Sequence, residues 1–366
     1  MRLFIGLPVF LLFGLSIGTA YAQGLGSEFR GTDDPAEIPR GVIDIDLTPG
    51  DNMRGLPQID SAELQGFVEG ATRRTLTAEE MAELFGQVSR NKNGDIVEQP
   101  AGDAFFAAPA IAPLELDPRN AEGGPETSAL IDDLTPRSAT PPNARRVGDG
   151  TVWPYRAIGL IVALDEFGNI EGTCSAALIG PRTALSAAHC FYDHDSGWAA
   201  DVRFLPGVTD LDVFGPPFGA FGWEEMHIAS AYMTEYDGTV LSTVPYDIAI
   251  LHLDTDIGNQ LGWLQVQMVD NRLPGYLSNL VGYPGDMPFG TMWWMGCPVN
   301  FIDQHPKFTF RQCVTAGGTS GGPMYNHQQD TDSRFILSIN VAGNDEVSIG
   351  LTIDDEHFRW LSALWK

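Results

Sequence analysis

Three short segments of this sequence carry a histidine, an aspartate and a serine that can break a covalent bond together. His189 follows a run of small residues and directly precedes Cys190, Asp247 stands before the apolar run Ile-Ala-Ile-Leu, and Ser320 lies within Gly317-Gly-Thr-Ser-Gly-Gly322. A serine hydroxyl is a weak nucleophile that needs a base, an imidazole can accept its proton, and a carboxylate can orient that imidazole. The sequence therefore predicts a catalytic triad.

The glycines around Ser320 predict a second component of the same site. They let the backbone bend sharply and expose the serine hydroxyl. They also allow the N–H groups of Gly318 and Ser320 to point at one place, where they would stabilise a developing oxyanion. The alternative is a glycine-rich turn that holds an uninvolved serine.

The histidine and the aspartate each have an ordinary structural interpretation as well. A lone histidine such as His189 is more often structural, and Asp247 alone would be a turn residue at the start of a strand. An unpaired carboxylate beside a buried strand is costly. The imidazole N–H of His189 would be the partner that Asp247 needs.

Short β-rich runs separated by Gly, Pro and Asp turns must position these segments. Strands are predicted over residues 157–163, 172–179, 247–253, 280–283 and 335–341. A helix behind an Asp cap is predicted over residues 354–365, where apolar residues recur at helical spacing. Strands and helices do not alternate, so a parallel sheet is not expected. The predicted fold class is all-β and antiparallel, with a C-terminal helix.

The chain divides near residue 146. Residues 23–146 are rich in acidic residues, Pro and Gly, and we predict a largely irregular pro-region with one amphipathic helix behind a capping box at Thr77. Ser138–Arg146 is predicted to be an exposed, extended linker. Its Arg145-Arg146 pair, followed by Val147, predicts a cutting site for an activating protease. The alternative is a linker that is never cut.

The N-terminus has the pattern of a signal peptide over residues 1–22. Arg2 precedes an almost wholly apolar run from Leu3 to Ile17, and Ala20-Tyr-Ala22 is a small-x-small cleavage site. The mature chain is therefore predicted to be exported and not held in a membrane; an uncleaved anchor is the alternative. Export leaves open whether the protein stays in a periplasm or reaches the medium.

The four cysteines of an exported chain predict disulfides rather than metal ligands. Their positions suggest that Cys174 pairs with Cys190 and Cys297 with Cys313.

The net charge of −27 argues against partners that are bound through phosphates, such as DNA or RNA. Surface adaptation is one explanation of this acidity and calcium binding is another, but no loop has EF-hand spacing. The sequence lacks a His-Glu-x-x-His motif or an evident ligand cluster, so neither a metal nor another cofactor is predicted. His252 is predicted to be a surface residue of a strand. Four other histidines are predicted to lie in loops: His194, His227, His305 and His327.

The three catalytic segments together resemble the trypsin-like, chymotrypsin-fold serine peptidases, and they occur in that family's order of His, Asp and Ser. The resemblance covers nearly all of Val147 to Lys366, about 220 residues. Three segments are similar in sequence to the bacterial glutamyl endopeptidase branch: Trp153-Pro-Tyr-Arg-Ala157, Gly282-Tyr-Pro-Gly285 and Thr315-Ala-Gly-Gly-Thr-Ser-Gly321. The resemblance implies two antiparallel six-stranded-type β-barrels with the triad between them. It also implies a secreted zymogen, a monomer without a cofactor, that cuts polypeptides through an acyl-enzyme.

The sequence departs from the family at positions that bear on specificity. The animal digestive enzymes have an Asp before the nucleophile that pairs with the new N-terminus, and Thr319 stands there instead. In the glutamyl branch a residue matching Thr315 helps to hold a substrate carboxylate, together with the new N-terminus, here Val147, and a histidine. Asn340 occupies the histidine position and cannot carry a positive charge. A preference for acidic residues before the scissile bond is therefore left open.

Two other functions are compatible with parts of the pattern. Gly318-Thr-Ser-Gly-Gly322 also matches the nucleophile turn of α/β-hydrolases, but that fold needs its acid and histidine after the serine, and His357 follows with no βα framework before it. The chain could also be a non-catalytic peptidase homologue that acts as a binding module. The complete set of catalytic segments favours an enzyme.

Overall fold

The computed structural model describes the whole of the predicted peptidase region apart from four short gaps, and parts of the segment before it. The described residues are 27–32, 38, 40–42, 46–48, 57–70, 75–108, 111, 113–114, 130–131, 144–268, 276–302, 305–311, 315–344 and 347–366. The predicted signal peptide, most of the predicted linker and Cys313 lie outside these residues. The proposed Cys297–Cys313 bridge therefore stays a prediction. Among the described residues, no helix is both long and apolar enough to cross a membrane.

Strands outnumber helices throughout the described part of the chain. The strands are β1 Gln87–Asn91, β2 Ile96–Gln99, β3 Leu130–Ile131, β4 Arg145–Val147, β5 Ile158–Leu164, β6 Ile170–Leu178, β7 Thr183–Ser186, β8 Tyr192–Asp193, β9 Gly197–Trp198, β10 Asp201–Pro206, β11 Trp223–Ala229, β12 Ala249–Leu253, β13 Gln265–Val266, β14 Tyr276–Gly282, β15 Trp293–Ile302, β16 His305–Arg311, β17 Pro323–Gln328, β18 Ser333–Gly343 and β19 Ser348–Thr352. The helices are α1 Ser61–Gly70, α2 Ala78–Leu84, α3 Asp103–Ala107, α4 Ser230–Thr234, α5 Val240–Thr243, α6 Gly258–Leu261 and α7 Asp355–Leu364. Each strand predicted from the sequence has a counterpart, in β5, β6, β12, β14 and β18.

The first large sheet contains a ring of six antiparallel strands. Strands β10, β5, β6, β7, β12 and β11 pair in that order. An antiparallel bridge between Phe204 of β10 and Phe221, just before β11, completes the ring. Strands β5 and β12 are buried at every residue, which explains their almost continuous apolar sequences.

The second large sheet contains a matching ring of six strands. Strands β14, β17, β18, β19, β16 and β15 pair in that order, and β14 also pairs with β15. Strand β13 adds to β18 in the parallel direction. The two sheets confirm the predicted all-β, antiparallel fold class.

The segment before the two rings is more ordered than the sequence indicated. The predicted capping box is present: Thr77 Oγ1 accepts from Glu80 N at 3.2 Å, and the Glu80 carboxylate accepts from Thr77 N at 2.8 Å. Beyond helix α2, strands β1 and β2 form a hairpin that extends the first sheet at β11. Phe85 and Phe105 are almost fully buried. The prediction of a largely irregular stretch is thus wrong for residues 75–108. Their apolar runs are too short to form a separate core, but they pack against the core of the first ring.

The end of the predicted linker is not exposed. Arg145–Val147 forms β4, which pairs with β15 on one side and β3 on the other. Arg146 forms an ion pair with Asp210, and its Nη2 also donates to the Thr209 carbonyl at 3.1 Å. An extended, proline-rich approach to a strand has almost the same backbone conformation as the strand itself. Composition alone therefore could not distinguish a free linker from a strand that pairs within a sheet.

The predicted C-terminal helix is confirmed as α7. Asp354 caps it by accepting from His357 N at 3.1 Å and from the His357 ring at 2.6 Å. The other ring nitrogen of His357 donates to the Pro245 carbonyl at 2.8 Å. This helix therefore braces the turn that leads into Asp247.

Candidate active site

His189 and Asp247 are brought together by two neighbouring strands of the first ring. His189 lies in a one-turn helix just after β7, and Asp247 lies just before β12. Because β7 and β12 are paired, with Ser186 opposite Ala249, the two residues meet at the same end of the sheet. The sequence placed both residues at strand ends, and the pairing supplies the contact.

Both carboxylate oxygens of Asp247 hold His189. Oδ2 accepts from the His189 Nδ1 at 2.7 Å, and Oδ1 accepts from the His189 backbone N–H at 3.0 Å. A proton held on Nδ1 leaves Nε2 with its lone pair. Among the described residues, Nε2 has no hydrogen-bond partner. The ring is thus oriented as a base with its basic nitrogen free.

His189 and Ser320, the predicted base and nucleophile, line one small cavity. The other lining residues belong to β5, to β6 and to the cystine: Ile161, Ala163, Gly172, Thr173, Cys174 and Cys190. Ser320 is only 2% exposed. The cavity is therefore the place where the predicted base and nucleophile meet.

A disulfide fixes the segment that carries His189. The predicted bond between Cys174 and Cys190 is present, with 6.0 Å between the Cα atoms and 16 positions between the residues. Closing a loop of this size stabilises the folded state by about 3 kcal/mol in the chain-entropy treatment. It ties β6 to the residue that follows the histidine.

The loop before Ser320 requires glycine at position 318. Gly318 has φ +88°, in the left-handed region, and a Cβ there would lie 2.2 Å from the Tyr283 carbonyl oxygen. The Gly318 carbonyl accepts from Ser175 Oγ at 2.8 Å, and Ser175 N donates to the Ser320 carbonyl at 2.7 Å. Strand β6 therefore holds this loop by two hydrogen bonds.

Hydrogen bonds to two carbonyls of this loop fix the orientation of the peptide groups that contain the N–H of Gly318 and of Ser320. The Gly317 carbonyl accepts from Gly285 N at 2.6 Å, and the Thr319 carbonyl accepts from Gly322 N at 2.9 Å. In a trans peptide the N–H points opposite to the C=O, so the amides of Gly318 and Ser320 are aimed away from these partners. Within the described part of the chain, neither amide donates a hydrogen bond.

The predicted pocket residues Thr315 and Asn340 are in contact, and the side chains described as bonding to them are neutral. Thr315 Oγ1 donates to Asn340 Oδ1 at 3.5 Å and contacts Ser348 Oγ at 2.9 Å. Asn340 Nδ2 donates to Thr319 Oγ1 at 3.4 Å. The amide of Asn340 thus links the threonine predicted for the pocket to the threonine that precedes the nucleophile.

Val147, the third predicted pocket residue, lies in β4. Its side chain is buried, and its N–H donates to the Met292 carbonyl at 2.9 Å. In the uncut chain this residue is therefore part of the second sheet, and its amide is occupied.

The structure corrects the placement of several histidines. His252 was predicted at the surface and is only 1% exposed, because the C-terminal segment covers that face of β12. His227 was predicted in a loop and is a buried residue of β11. His305 and His327 also lie in strands, and His194 lies in a turn as predicted.

Sequence analysis missed one cluster of polar side chains. Glu225, His227 and His252 converge on the outer face of the first ring. The Glu-x-His spacing on β11 was visible, since alternate strand residues share a face. The strand register that places His252 opposite Glu225 could not be seen in the sequence.

The fold and this geometry are those of the trypsin family, to which the chain belongs. A family model described as Trypsin matches residues 153–353. The protein is a trypsin-like serine endopeptidase near the glutamyl endopeptidase branch, and its substrates are polypeptides.

Two curated relatives and one solved structure show the range of similarity. The chain is 28% identical over 240 residues to an extracellular metalloprotease of Bacillus subtilis, covering 65% of this chain and 72% of that protein. It is 30% identical over 228 residues to a glutamyl endopeptidase of Bacillus licheniformis, covering 60% of this chain and 66% of that protein. A solved Glu endopeptidase in complex with MPD superposes with a TM-score of 0.50 and 23% identity, covering 62% of this chain and 97% of that one. This last likeness concerns the fold alone.

Proposed function

We propose that the chain hydrolyses peptide bonds with Ser320 as nucleophile, His189 as general base and acid, and Asp247 as the residue that orients His189. One observation carries this proposal: both Asp247 oxygens hold His189, whose Nε2 has no partner among the described residues, and His189 lines one cavity together with Ser320. The amides of Gly318 and Ser320 supply the oxyanion hole.

The reaction proceeds in two halves that return the enzyme to its starting state. Ser320 Oγ attacks the scissile carbonyl carbon while His189 Nε2 takes the hydroxyl proton, and the carbonyl oxygen becomes an oxyanion between the two amides. The C–N bond then breaks as His189 returns the proton to the leaving amine. Water attacks the acyl-enzyme by the same route and releases the acid product. No step needs a cofactor.

We further propose that the chain is made as a secreted zymogen that an activating protease cuts after Arg146, and that the mature enzyme is a monomer. The Arg145-Arg146 pair and the signal-like N-terminus support this proposal. The scissile bond lies within β4, so cutting requires that β4 first opens. Burial alone raises the pKa of Asp210, but hydrogen bonds from Arg146 and Val213 leave that pKa below its usual range. The carboxylate therefore stays charged and holds Arg146 in place.

We expect Asp210→Asn to speed cutting of the Ser320→Ala precursor by trypsin about three- to tenfold. Asparagine can still accept a hydrogen bond from Arg146, so the loss is the roughly 1 kcal/mol by which a charged acceptor exceeds a neutral one, and cutting of a locally opened strand follows the population of the open form. Gel densitometry gives the rate, and N-terminal sequencing should give Val147. Asp201→Asn, which weakens an ion pair with Arg203 elsewhere in the first ring, is the matched control and should not change the rate. An equal rate in all three proteins, or equal peptidase activity of uncut and cut wild type, would contradict the zymogen proposal.

The pocket supports a modest preference for an acidic residue before the scissile bond. We propose that Thr315, Asn340 and the new amino group of Val147 hold the substrate carboxylate. A hydrogen bond to a charged acceptor exceeds a neutral one by roughly 1 kcal/mol, so cleavage after Glu should exceed cleavage after Gln about fivefold.

A peptide library cut by protein that starts at Val147, and analysed by mass spectrometry, tests this preference and the peptidase activity together. Asn340→His should raise the ratio of Glu to Gln cleavage most at low pH, where the new ring is charged. Thr315→Val should lower that ratio. Thr352→Val removes a buried hydroxyl that has no partner among the described residues, and it is the matched control. Cuts after other residues would contradict the acidic preference, and no cuts above the Ser320→Ala background would contradict the peptidase proposal.

A further inference from the structure

Two neighbouring strands bring a carboxylate and two imidazoles to one point away from the catalytic cavity. Glu225 and His227 lie two residues apart on β11 and so share a face, and the register of β11 with β12 places His252 opposite Glu225. His227 Nε2 and His252 Nδ1 lie 3.0 Å apart. Glu225 Oε2 lies 3.4 Å from His252 Nδ1 and 3.5 Å from His227 Nε2.

Two of these separations, those from Glu225, match the spacing around a tetrahedral zinc ion, and the 3.0 Å between the two imidazole nitrogens is a few tenths of an ångström shorter. Zinc binds imidazole nitrogen and carboxylate oxygen at about 2.0–2.2 Å, which places neighbouring tetrahedral ligands about 3.3–3.5 Å apart. Two histidines and one glutamate form a ligand set that zinc uses in proteins. Calcium and magnesium prefer ligands that are all oxygen, so the two imidazoles disfavour them.

A hydrogen bond outside the cluster fixes the tautomer of one ring. His252 Nε2 donates to the Leu364 carbonyl at 2.8 Å, so in the neutral ring Nδ1 carries a lone pair. Metal-binding histidines commonly donate their second nitrogen to a carbonyl in this way. The C-terminal segment thus orients His252 toward the point of convergence.

Without a metal, hydrogen bonds can occupy the three converging atoms. With the His252 proton on Nε2, the His227 Nε2–H can donate to His252 Nδ1 at 3.0 Å, and Glu225 Oε2 accepts from Lys366 Nζ at 2.9 Å. This leaves the buried Nδ1 of His227 without a partner among the described residues. A divalent cation would bind all three converging atoms once the His227 proton moves to Nδ1, and it would compete with Lys366 for Glu225 Oε2.

We propose that Glu225, His227 and His252 form a binding site for a first-row transition-metal dication, with zinc the foremost candidate. The site lies on strands β11 and β12, and its His252 is tied to Leu364, so the bound ion joins the first ring to the C-terminal end of α7. Glu225 is 39% exposed, which leaves an entry path and a fourth position for water. The bound ion stabilises the fold and takes no part in peptide hydrolysis.

Metal titration of the full chain tests this site. The protein carries Ser320→Ala to prevent self-digestion and is first stripped with a chelator. We expect calorimetry to show one equivalent of Zn²⁺, and Co²⁺ to give the visible bands of a four-coordinate site. Free zinc at about 100 times its Kd should raise the Tm by about 5–10 °C.

Matched variants distinguish this site from the other histidines of the protein. Glu225→Gln and His252→Gln should each weaken zinc binding at least about tenfold and reduce the Co²⁺ bands. Lys366→Gln removes the competing ammonium, so zinc should bind it as tightly as the parent or more tightly. His327→Gln, which alters a histidine paired with Asp332, is the control and should bind like the parent.

Three results would overturn the proposal. They are the absence of zinc binding by the stripped parent, unchanged binding in both Glu225→Gln and His252→Gln, and weaker binding in Lys366→Gln. Because Glu225 is partly exposed, its variant should still fold if His252→Gln does not. The Co²⁺ spectrum of the Glu225 variant then decides the outcome.

Discussion

Replacing Ser320 by alanine in protein that starts at Val147 should lower kcat/KM for peptide hydrolysis by at least about 10⁴-fold. The substitution removes the atom that forms the acyl-enzyme and leaves the remaining groups of the cavity in place. Ser320 is buried without being a core residue, so the folded state should keep its Tm within a few degrees. Initial rates with a fluorogenic peptide measure the effect.

The same experiment tests whether Ser320 and His189 act as a unit. His189→Ala should lower kcat/KM by about the same factor as Ser320→Ala. The double variant should be no slower than either single variant, because neither residue contributes to catalysis without the other. Ser196→Ala, which alters a hydroxyl in an exposed turn, should keep full activity. Additive losses in the double variant would mean that the two residues do not share one step.

Gly318→Ala should lower kcat by about 10²- to 10³-fold while KM changes far less, as expected when one oxyanion-hole donor is lost. The added Cβ would meet the Tyr283 carbonyl oxygen at 2.2 Å, and alanine is strained at φ +88°. The Gly317–Gly318 peptide must therefore rotate, and its N–H leaves the position where the oxyanion forms. Kinetics with a series of ester and peptide substrates would measure the loss.

Gly215→Ala separates this effect from backbone strain alone. Gly215 also has a positive φ, at +64°, but a Cβ there would meet nothing within 4 Å. This control should lose about 1 kcal/mol of stability and keep its kcat. Unchanged kcat in Gly318→Ala, with the variant folded, would show that this amide does not contact the transition state.

Much of the candidate site could be predicted because its information is local. The small residues before His189, the apolar run after Asp247 and the glycines around Ser320 each identify a strand end or a tight turn within a few residues. The cap at Asp354 and the capping box at Thr77 were predicted for the same reason. Each depends on side chains that bond to backbone three residues away.

The features that the sequence did not predict depend on pairing between distant segments. The pairing of Arg146 in β4 requires β15, which follows it by well over a hundred positions. The contact between Glu225 and His252 requires the register of two strands, and a slip of one residue would turn His252 to the other face. Strand register is set by packing over a whole sheet, so local composition carries little information about it.

Covalent labelling of Ser320 tests the central claim most directly. Protein that starts at Val147 is treated with a fluorophosphonate, digested, and analysed by mass spectrometry for the modified residue. We predict one label per chain, on Ser320, with labelling slowed at least about 10³-fold in His189→Ala because the hydroxyl has lost its base. A label on another residue, or equal labelling of Ser320 in His189→Ala, would contradict the proposed triad.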